Sequence, residues 1–145
     1  MTKIQVQAYY KQQHADNPAM IYSSEDVDAL IESLAFGEEF ENMATLQCLQ
    51  RKLLPSGFPD HEFLVGVNGK RQVGIVSFID DKNHISIDSS KSQGGDVVYH
   101  IAGNPTEFPS MAEIPLPLVR EAVKEFLLSG GMRPACVKWQ EAPGI

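Results

Sequence analysis

The chain has 145 residues, of which 43% are hydrophobic and 21% are charged, and it carries a formal net charge of −7 at pH 7. This length and composition are typical of one globular domain with a buried core, so we expect a single domain over residues 1–145. No apolar run reaches the roughly 18–20 residues of a membrane-spanning helix, and the first residues lack the apolar segment of a secretory signal. Both features favour a cytoplasmic protein with no membrane contact.

The N-terminal third predicts a strand, a helix and a second strand. Residues 4–10 alternate between apolar and polar side chains, and residues 44–50 do the same. Between them Ser23 is a suitable helix N-cap, because Asp26 follows three residues later as in a capping box. Gly37 marks the end of this helix. Its predicted buried stripe has helical spacing and consists of Val27, Leu30, Ile31 and Leu34.

The middle of the chain predicts short strands joined by turns. Apolar residues alternate from Phe63 to Val67 and lead into Asn68-Gly69, the strongest short signal for a β-hairpin. The return strand is expected at residues 73–78. The elements predicted next are a turn at residues 80–83, a short strand with Ile85 and Ile87 facing inward, a mobile Ser/Gly loop from Ser89 to Gly95, and a strand at residues 97–101.

A second helix is strongly marked near the C-terminus. Pro117 suits the first turn of a helix, where its missing N–H costs nothing. Gly130-Gly131 favours the left-handed conformation that ends a helix, and Pro134 prevents its resumption. A last strand is expected at residues 135–140, with Ala135, Val137 and Trp139 facing inward. The buried stripe of the helix is predicted to comprise Leu118, Val119, Ala122, Val123, Phe126 and Leu127.

The order of elements, β-α-β-β-β-β-β-α-β, predicts an α+β fold. Consecutive strands joined by short turns pair in antiparallel fashion. Each helix has an apolar stripe that needs a partner surface, and the sheet offers one. We therefore expect a central antiparallel sheet of about six to seven strands, with one helix near each end of the chain packed on it.

The charge of the chain is concentrated in its first third. Eight of the 19 acidic residues and none of the 12 basic residues lie between Lys11 and Arg51, so this interval carries −8 and the remainder +1. Such a region repels nucleic acid and anionic membranes and attracts a basic partner, whose capture it would accelerate. The alternative is that these acids form only the solvated face of a helix.

The residues with catalytic or ligating chemistry form no recognised motif. His84 with Asp80 and Asp81 offers ligand types for a metal, but a polar β-turn explains the same residues and is the favoured interpretation. No nucleotide-binding glycine motif, nucleophile elbow or zinc deaminase signature is present. We therefore expect no catalytic residue, metal or cofactor. Cys48 and Cys136 are most simply two free, buried thiols.

An ordered set of short segments resembles immunity protein family 1 of bacterial polymorphic toxin systems. The set covers most of the chain and is weakest at residues 36–60. Its members are the helix start at residues 24–30, Leu64-Val65-Gly66-Val67, Val73-Gly74-Ile75-Val76, Val97-Val98-Tyr99, Thr106-Glu107-Phe108-Pro109, Glu113-Ile114-Pro115-Leu116, residues 119–127, Arg133-Pro134 and Trp139.

The resemblance implies a cytoplasmic antidote that binds a cognate toxin domain, frequently a nucleic-acid deaminase or nuclease, and blocks it. Together with the acidic first third, it suggests stoichiometric occlusion of a basic active-site groove. The loop from Ser89 to Gly95 would contribute to the rim of the contact. The candidate partner-binding residues are Glu25, Asp28, Glu32, Glu38, Glu39, Glu41, Asp80 and Asp81.

Two other classes of function remain open from the residues alone. A small α+β hydrolase would use His61 or His100 with a glutamate as acid and base, and it would show a deep pocket around a His–carboxylate pair. A non-catalytic scaffold or secretion adaptor would show a large exposed apolar patch and a dimer contact along a sheet edge. For the antidote we expect a monomer or a weak homodimer.

Overall fold

The computed structural model of the protein describes residues 4–88, 90 and 94–142. Within them the α-helices are α1 Ser24–Phe36 and α2 Leu116–Leu128, and neither has the length and hydropathy to cross a bilayer. Short 3-10 helices cover Gln12–Ala15, Glu39–Glu41 and Ser110–Ala112. The strands are β1 Val6–Tyr9, β2 Ala19–Ile21, β3 Met43–Cys48, β4 Glu62–Asn68, β5 Val73–Ile79, β6 Asn83–Ser86, β7 Asp96–Ile101, β8 Asn104–Pro109, β9 Ile114–Pro115 and β10 Trp139–Glu141.

A large antiparallel sheet forms the centre of the molecule. Its strand order is β10-β6-β5-β4-β3-β1-β2, and the short β9 also pairs with β5. The hairpin of β4 and β5 is paired from Glu62↔Ile79 to Asn68↔Val73, so the two strands are in register over their full length. Residues 69–72 connect them and are called the β4–β5 turn below.

The sheet is covered on both faces, which gives three layers. On one face α1 and α2 bury their apolar stripes, and the rings of Phe63 in β4 and Phe126 in α2 stack with centroids 4.6 Å apart. The opposite face is covered by the separate hairpin of β7 and β8, whose Tyr99 and Phe108 pack with Ile75 of β5. The predicted α+β fold, with an antiparallel sheet and both helices packed on it, is confirmed.

Both predicted helix starts and stops are confirmed. Ser23 caps α1 by accepting a hydrogen bond from the Asp26 backbone N–H (3.2 Å), and the Asp26 carboxylate in turn accepts one from the Tyr22 N–H (2.9 Å). At the end of α2, Gly130 and Gly131 adopt left-handed φ angles of 76° and 95°. The predicted stripes are buried except for Leu118, which is half-buried at the margin of the core.

The observed elements differ from the predicted ones in several places, and β2 and β9 are two short strands that the sequence analysis did not predict. β8 was not predicted because prolines disfavour paired strands, yet Pro105 and Pro109 are tolerated on this edge strand. The last strand comprises only residues 139–141, and Ala135 is exposed, because the Ala135 and Cys136 N–H groups bond to the Glu125 carboxylate of α2 instead of a strand.

Part of one prediction lies outside the described residues. The Ser/Gly loop expected from Ser89 to Gly95 includes Ser89 and residues 91–93, which the structure does not describe. Of the two isoleucines expected to face inward just before it, Ile85 is buried within β6 and Ile87 is half-buried after the strand has ended.

Candidate functional site

A groove lies where the C-terminal end of α1 meets the β4–β5 turn and the outer face of β7. It has a volume of about 250 Å³ and is called the turn-end groove. Leu34 and Val67 contribute apolar side chains to its lining, Glu38 and Glu39 form one wall, and β7 supplies the other. The side chains that line the groove from β7 and the β4–β5 turn are Val98, His100 and Lys70.

The segment that carries Glu38 and Glu39 is held in place by hydrogen bonds to two layers of the fold. Asn42, directly after the 3-10 helix, accepts from the Val67 N–H of β4 through its carbonyl (2.9 Å). Its side-chain Oδ1 accepts from the His100 N–H of β7 (2.8 Å). Two residues before Asn42, the Phe40 carbonyl accepts a hydrogen bond from the Gly103 N–H in the β7–β8 turn (2.8 Å). The segment is therefore a fixed part of the surface.

Glycine is required where the β4–β5 turn approaches α1. A Cβ atom at Gly69 would lie 2.4 Å from the Ala35 carbonyl oxygen, well inside van der Waals contact. The close approach brings the carboxyl end of α1 directly against the turn. Because α1 has no basic residue in its last turn, the partial negative charge of the helix end is not compensated there by the helix itself.

An ion pair between the exposed Arg71 and the buried Glu113 carboxylate fixes the β7 wall of the groove. Arg71 in the β4–β5 turn donates two hydrogen bonds to the Glu113 carboxylate (2.8 and 2.6 Å), and the Tyr99 hydroxyl of β7 donates a third (2.6 Å). Glu113 is only 2% exposed, and burial raises the pKa of Tyr99 well above its usual value. Gly66 makes room for the Tyr99 ring, since a Cβ there would lie 2.7 Å from it.

The eight predicted partner-binding residues do not form one cluster. Glu38 and Glu39 line the turn-end groove, and Glu41 is half-buried on the same 3-10 helix. Asp80 and Asp81 directly follow the end of β5, whereas the groove lies at the turn before the start of β5. The length of this seven-residue strand, about 20 Å, therefore separates Asp80 and Asp81 from the acids at the groove. Sequence reasoning could detect the acidic density but not this separation.

The acids on α1 also differ from one another. Asp28 forms ion pairs with Arg120 (2.6 Å) and Lys124 (3.1 Å) of α2, and the Arg120 hydrogen bond lowers the pKa of its carboxyl group. Its charge therefore serves the packing of the two helices. Glu25 and Glu32 are exposed and form no ion pair among the described residues, so their charges remain available at the surface.

Exposed apolar side chains occur on the elements that form the turn-end groove. Val98 lines the groove itself, whereas Phe36 and Phe40 are chain neighbours of the lining residues Gly37 and Glu39. Phe36, the last residue of α1, is 81% exposed, Phe40 is 52% exposed and Val98 is 44% exposed. Single exposed apolar residues are ordinary, but three of them on the elements that form one groove indicate an interaction surface. The sequence analysis did not single out these residues, although two phenylalanines inside a strongly acidic run were a visible signal.

A second exposed apolar surface lies at the opposite end of the central strands. It is formed by the loop after β3 and the end of α2, and we call it the loop-end patch. Its charged neighbours include both signs, among them Arg133, Lys82 and Asp80. The patch consists of Leu49, Leu53, Leu54, Phe58, Leu128 and Met132, which are 44–75% exposed.

The predicted alternative of a hydrolase meets a structural obstacle at His61. This side chain is 2% exposed, and its Nε2 accepts from the Cys48 N–H (2.9 Å) while Nδ1 lies 2.9 Å from Asp60 Oδ1. Burial lowers the pKa of His61 and favours the neutral ring. Asp60 is in turn bound by Arg51, which also reaches the Gly131 carbonyl. Because both ring nitrogens of His61 are in hydrogen bonds, the His61–Asp60 pair holds the loop after β3 in place, and neither nitrogen is available as a base for a substrate.

The remaining candidate ligands are dispersed. In the described ranges, no three His, Cys, Asp or Glu side chains are grouped so that they could hold a metal ion. His84 Nδ1 lies 4.0 Å from Asp80 Oδ1, which fits the expected polar turn. Both cysteines are free, Cys48 buried and Cys136 half-buried.

Taken together, the structure presents a charged groove with apolar flanks and an apolar patch, which are the features of a protein that binds other proteins. The sequence matches the model of the family described as Immunity protein Imm1 over residues 15–141, and the chain belongs to that family. The predicted resemblance is thereby confirmed. No curated protein shows a significant match to the chain.

Proposed function

We propose that this protein is a cytoplasmic antidote that neutralises a cognate polymorphic toxin acting on nucleic acid, by covering the active site of the toxin in a stoichiometric complex. Membership of the immunity protein family supports a toxin as the partner. The occlusion mechanism and the chemistry of the toxin rest on the surface of the chain itself.

The observation that carries the proposal is the group of acidic side chains beside the turn-end groove. Glu38 and Glu39 project from a fixed segment, next to the negative end of α1. A nucleic-acid enzyme binds phosphates in a basic groove, and carboxylates held on a rigid support are suited to occupy it. Complementary charge also raises the association rate, which an antidote needs to act before damage occurs.

A catalytic role is not supported by the geometry. The buried His61 has both nitrogens occupied, and no carboxylate of the described residues lies within hydrogen-bond distance of the His100 ring. We therefore propose that neutralisation involves binding alone, at one antidote per toxin. Other acids predicted to contribute, such as Glu25 and Glu32, would strengthen the negative electrostatic potential that attracts a basic partner. Asp80 and Asp81 would do the same from the opposite end of the central strands.

The test is a charge reversal with a matched control. Glu38, Glu39 and Glu41 are changed together to lysine. The toxin domain is first identified by a pull-down from the native cell or from the adjoining genes, and binding to it is measured at 50 and 200 mM salt. We expect the association rate to fall by about ten- to a thousandfold at low salt, since steering contributes factors of that size. Growth of cells that co-produce the active toxin reports neutralisation.

The control reverses three exposed acids that are not predicted contacts, Glu62, Glu121 and Glu141, and produces the same net charge. Glutamine variants of the first three positions serve if the lysine variant is less stable. If both triple variants slow association equally, only the overall charge matters and the local site is refuted. If the wild-type protein neither binds nor protects against the toxin, the proposed function itself is wrong.

A further inference from the structure

We propose that Phe36, Phe40 and Val98, which lie on the elements that form the turn-end groove, make up the docking face for the toxin. Its occupant is a basic segment of the toxin domain whose cationic side chain displaces Lys70 from Glu39. This inference rests on the proposed function and specifies which surface performs it and what chemistry it recognises.

Three elements bring the docking face together. Phe36 ends α1, Phe40 lies in the 3-10 helix Glu39–Glu41, and Val98 lies on β7. The Phe40 carbonyl is bonded to Gly103 and the neighbouring Asn42 to β7, so the 3-10 helix and the hairpin are tied to each other. Exposed aromatic side chains on a fixed backbone are effective anchors, because the backbone loses little conformational entropy when a partner covers them.

The charges around the face select a basic occupant. Glu38 and Glu39 line the groove at the uncompensated carboxyl end of α1. In the described part of the chain, Lys70 is the one lysine or arginine that lines the groove. Its Nζ lies 3.4 Å from Glu39 Oε1, and both side chains are 87% exposed. Such an exposed pair contributes little stability and exchanges easily with another cation.

The groove lining offers both the apolar and the acidic contacts that a lysine or arginine side chain requires. Leu34 and Val67 supply apolar contact for a methylene stem, while the carboxylates at the wall receive the charged end. Phe36 and Phe40 would then contact apolar residues that flank this cation in the toxin segment. The loop-end patch lacks this selectivity, because acidic and basic side chains are mixed around it.

The first experiment compares apolar truncations at the two ends of the molecule. The probe is the catalytically inactivated domain of the toxin identified by pull-down or from the adjoining genes, and affinity is measured by calorimetry and surface binding kinetics. Phe36→Ala and Phe40→Ala are each expected to weaken binding at least tenfold, mainly through faster dissociation. Phe58→Ala, which truncates a 70% exposed side chain of the loop-end patch, is the matched control and should change affinity less than twofold.

The second experiment removes the competing cation. Lys70→Gln should tighten binding by about three- to tenfold, because Glu39 no longer has an internal partner and the groove no longer repels a cation. Lys82→Gln is the control: Lys82 forms a similar exposed ion pair with Glu141 (3.2 Å), and its removal changes the net charge by the same amount. Its effect should be confined to a small, salt-sensitive change in association rate.

The outcomes separate the two proposals. If the wild-type protein binds and neutralises the toxin while Phe36→Ala, Phe40→Ala and Lys70→Gln leave affinity unchanged, the docking face is wrong and the proposed function stands. A loss confined to Phe58→Ala would assign the contact to the loop-end patch. If the wild-type protein does not bind the toxin at all, both proposals are overturned.

Discussion

Substitution of Tyr99 by phenylalanine tests the hydrogen bond to the buried Glu113 carboxylate, which holds the β7–β8 hairpin against the sheet. The hydroxyl of this 1% exposed side chain donates to Glu113 Oε2 at 2.6 Å, and Arg71 binds the same carboxylate. The substitution removes one hydrogen bond to a charged acceptor and leaves the ring in place against Gly66. No cavity of consequence is created, so the loss of the hydrogen bond dominates.

The expected magnitude follows from the charge and burial of Glu113. Hydrogen bonds to charged groups contribute about 1.5–3 kcal/mol, compared with about 0.5–1.5 kcal/mol for neutral pairs. We therefore expect Tyr99→Phe to lower the free energy of unfolding by about 2 kcal/mol. For a protein of this size the melting temperature would fall by about 4–8 °C. Urea unfolding and thermal melts followed by circular dichroism measure both quantities.

Tyr9→Phe is the control for this prediction. Tyr9 also donates its hydroxyl to another side chain, but the acceptor is the neutral Gln7 and the site is half-buried. Its loss should cost no more than about 1 kcal/mol. Equal destabilisation by the two variants, or a loss below about 0.5 kcal/mol for Tyr99→Phe, would show that the carboxylate gains nothing from the tyrosine and would refute the reasoning.

Two further predictions concern stability. Gly66→Ala should cost about 1–3 kcal/mol by overpacking against Tyr99, and the cost should shrink in a Tyr99→Leu background; additive losses would contradict the contact. Burial lowers the pKa of His61 and of His14 in the folded state. The stability that their neutral rings contribute is therefore fully present above about pH 6.5, and it is lost as the pH falls from there through their lowered folded-state pKa values. The free energy of unfolding should change by at most about 1.4 kcal/mol per pH unit for each histidine, and His61→Gln should remove the contribution of His61. A free energy of unfolding in urea that stays constant between pH 7.5 and 5.5 would disprove this prediction.

The helices could be predicted from the sequence because their signals are local. Ser23 and Asp26 form the cap within one turn, and the buried positions of α1 recur every three or four residues. The same holds for the glycine stop of α2. These features depend on neighbours along the chain, so a single sequence contains them.

The site could be predicted only in part because its contacts are remote in sequence. Asn42 is an unremarkable polar residue until β7 is folded against it, 58 residues away. Asp28 looked like one more surface acid, yet Arg120 neutralises it from 92 residues away. Acidic density is visible in composition, whereas the direction in which each carboxylate points is set by packing across all three layers.

The way the docking segment is held suggests how one fold can present different surfaces. Of the three hydrogen bonds that fix residues 40–42, two use only backbone atoms and one uses the side chain of Asn42. Phe36, Glu38 and Glu39 contribute no side-chain contact to the buried core, so replacing them changes the exposed chemistry at little cost to folding. A scaffold stabilised by Phe63, Phe126 and the Glu113 ion pair can therefore keep its structure while the exposed segment is altered to fit another partner.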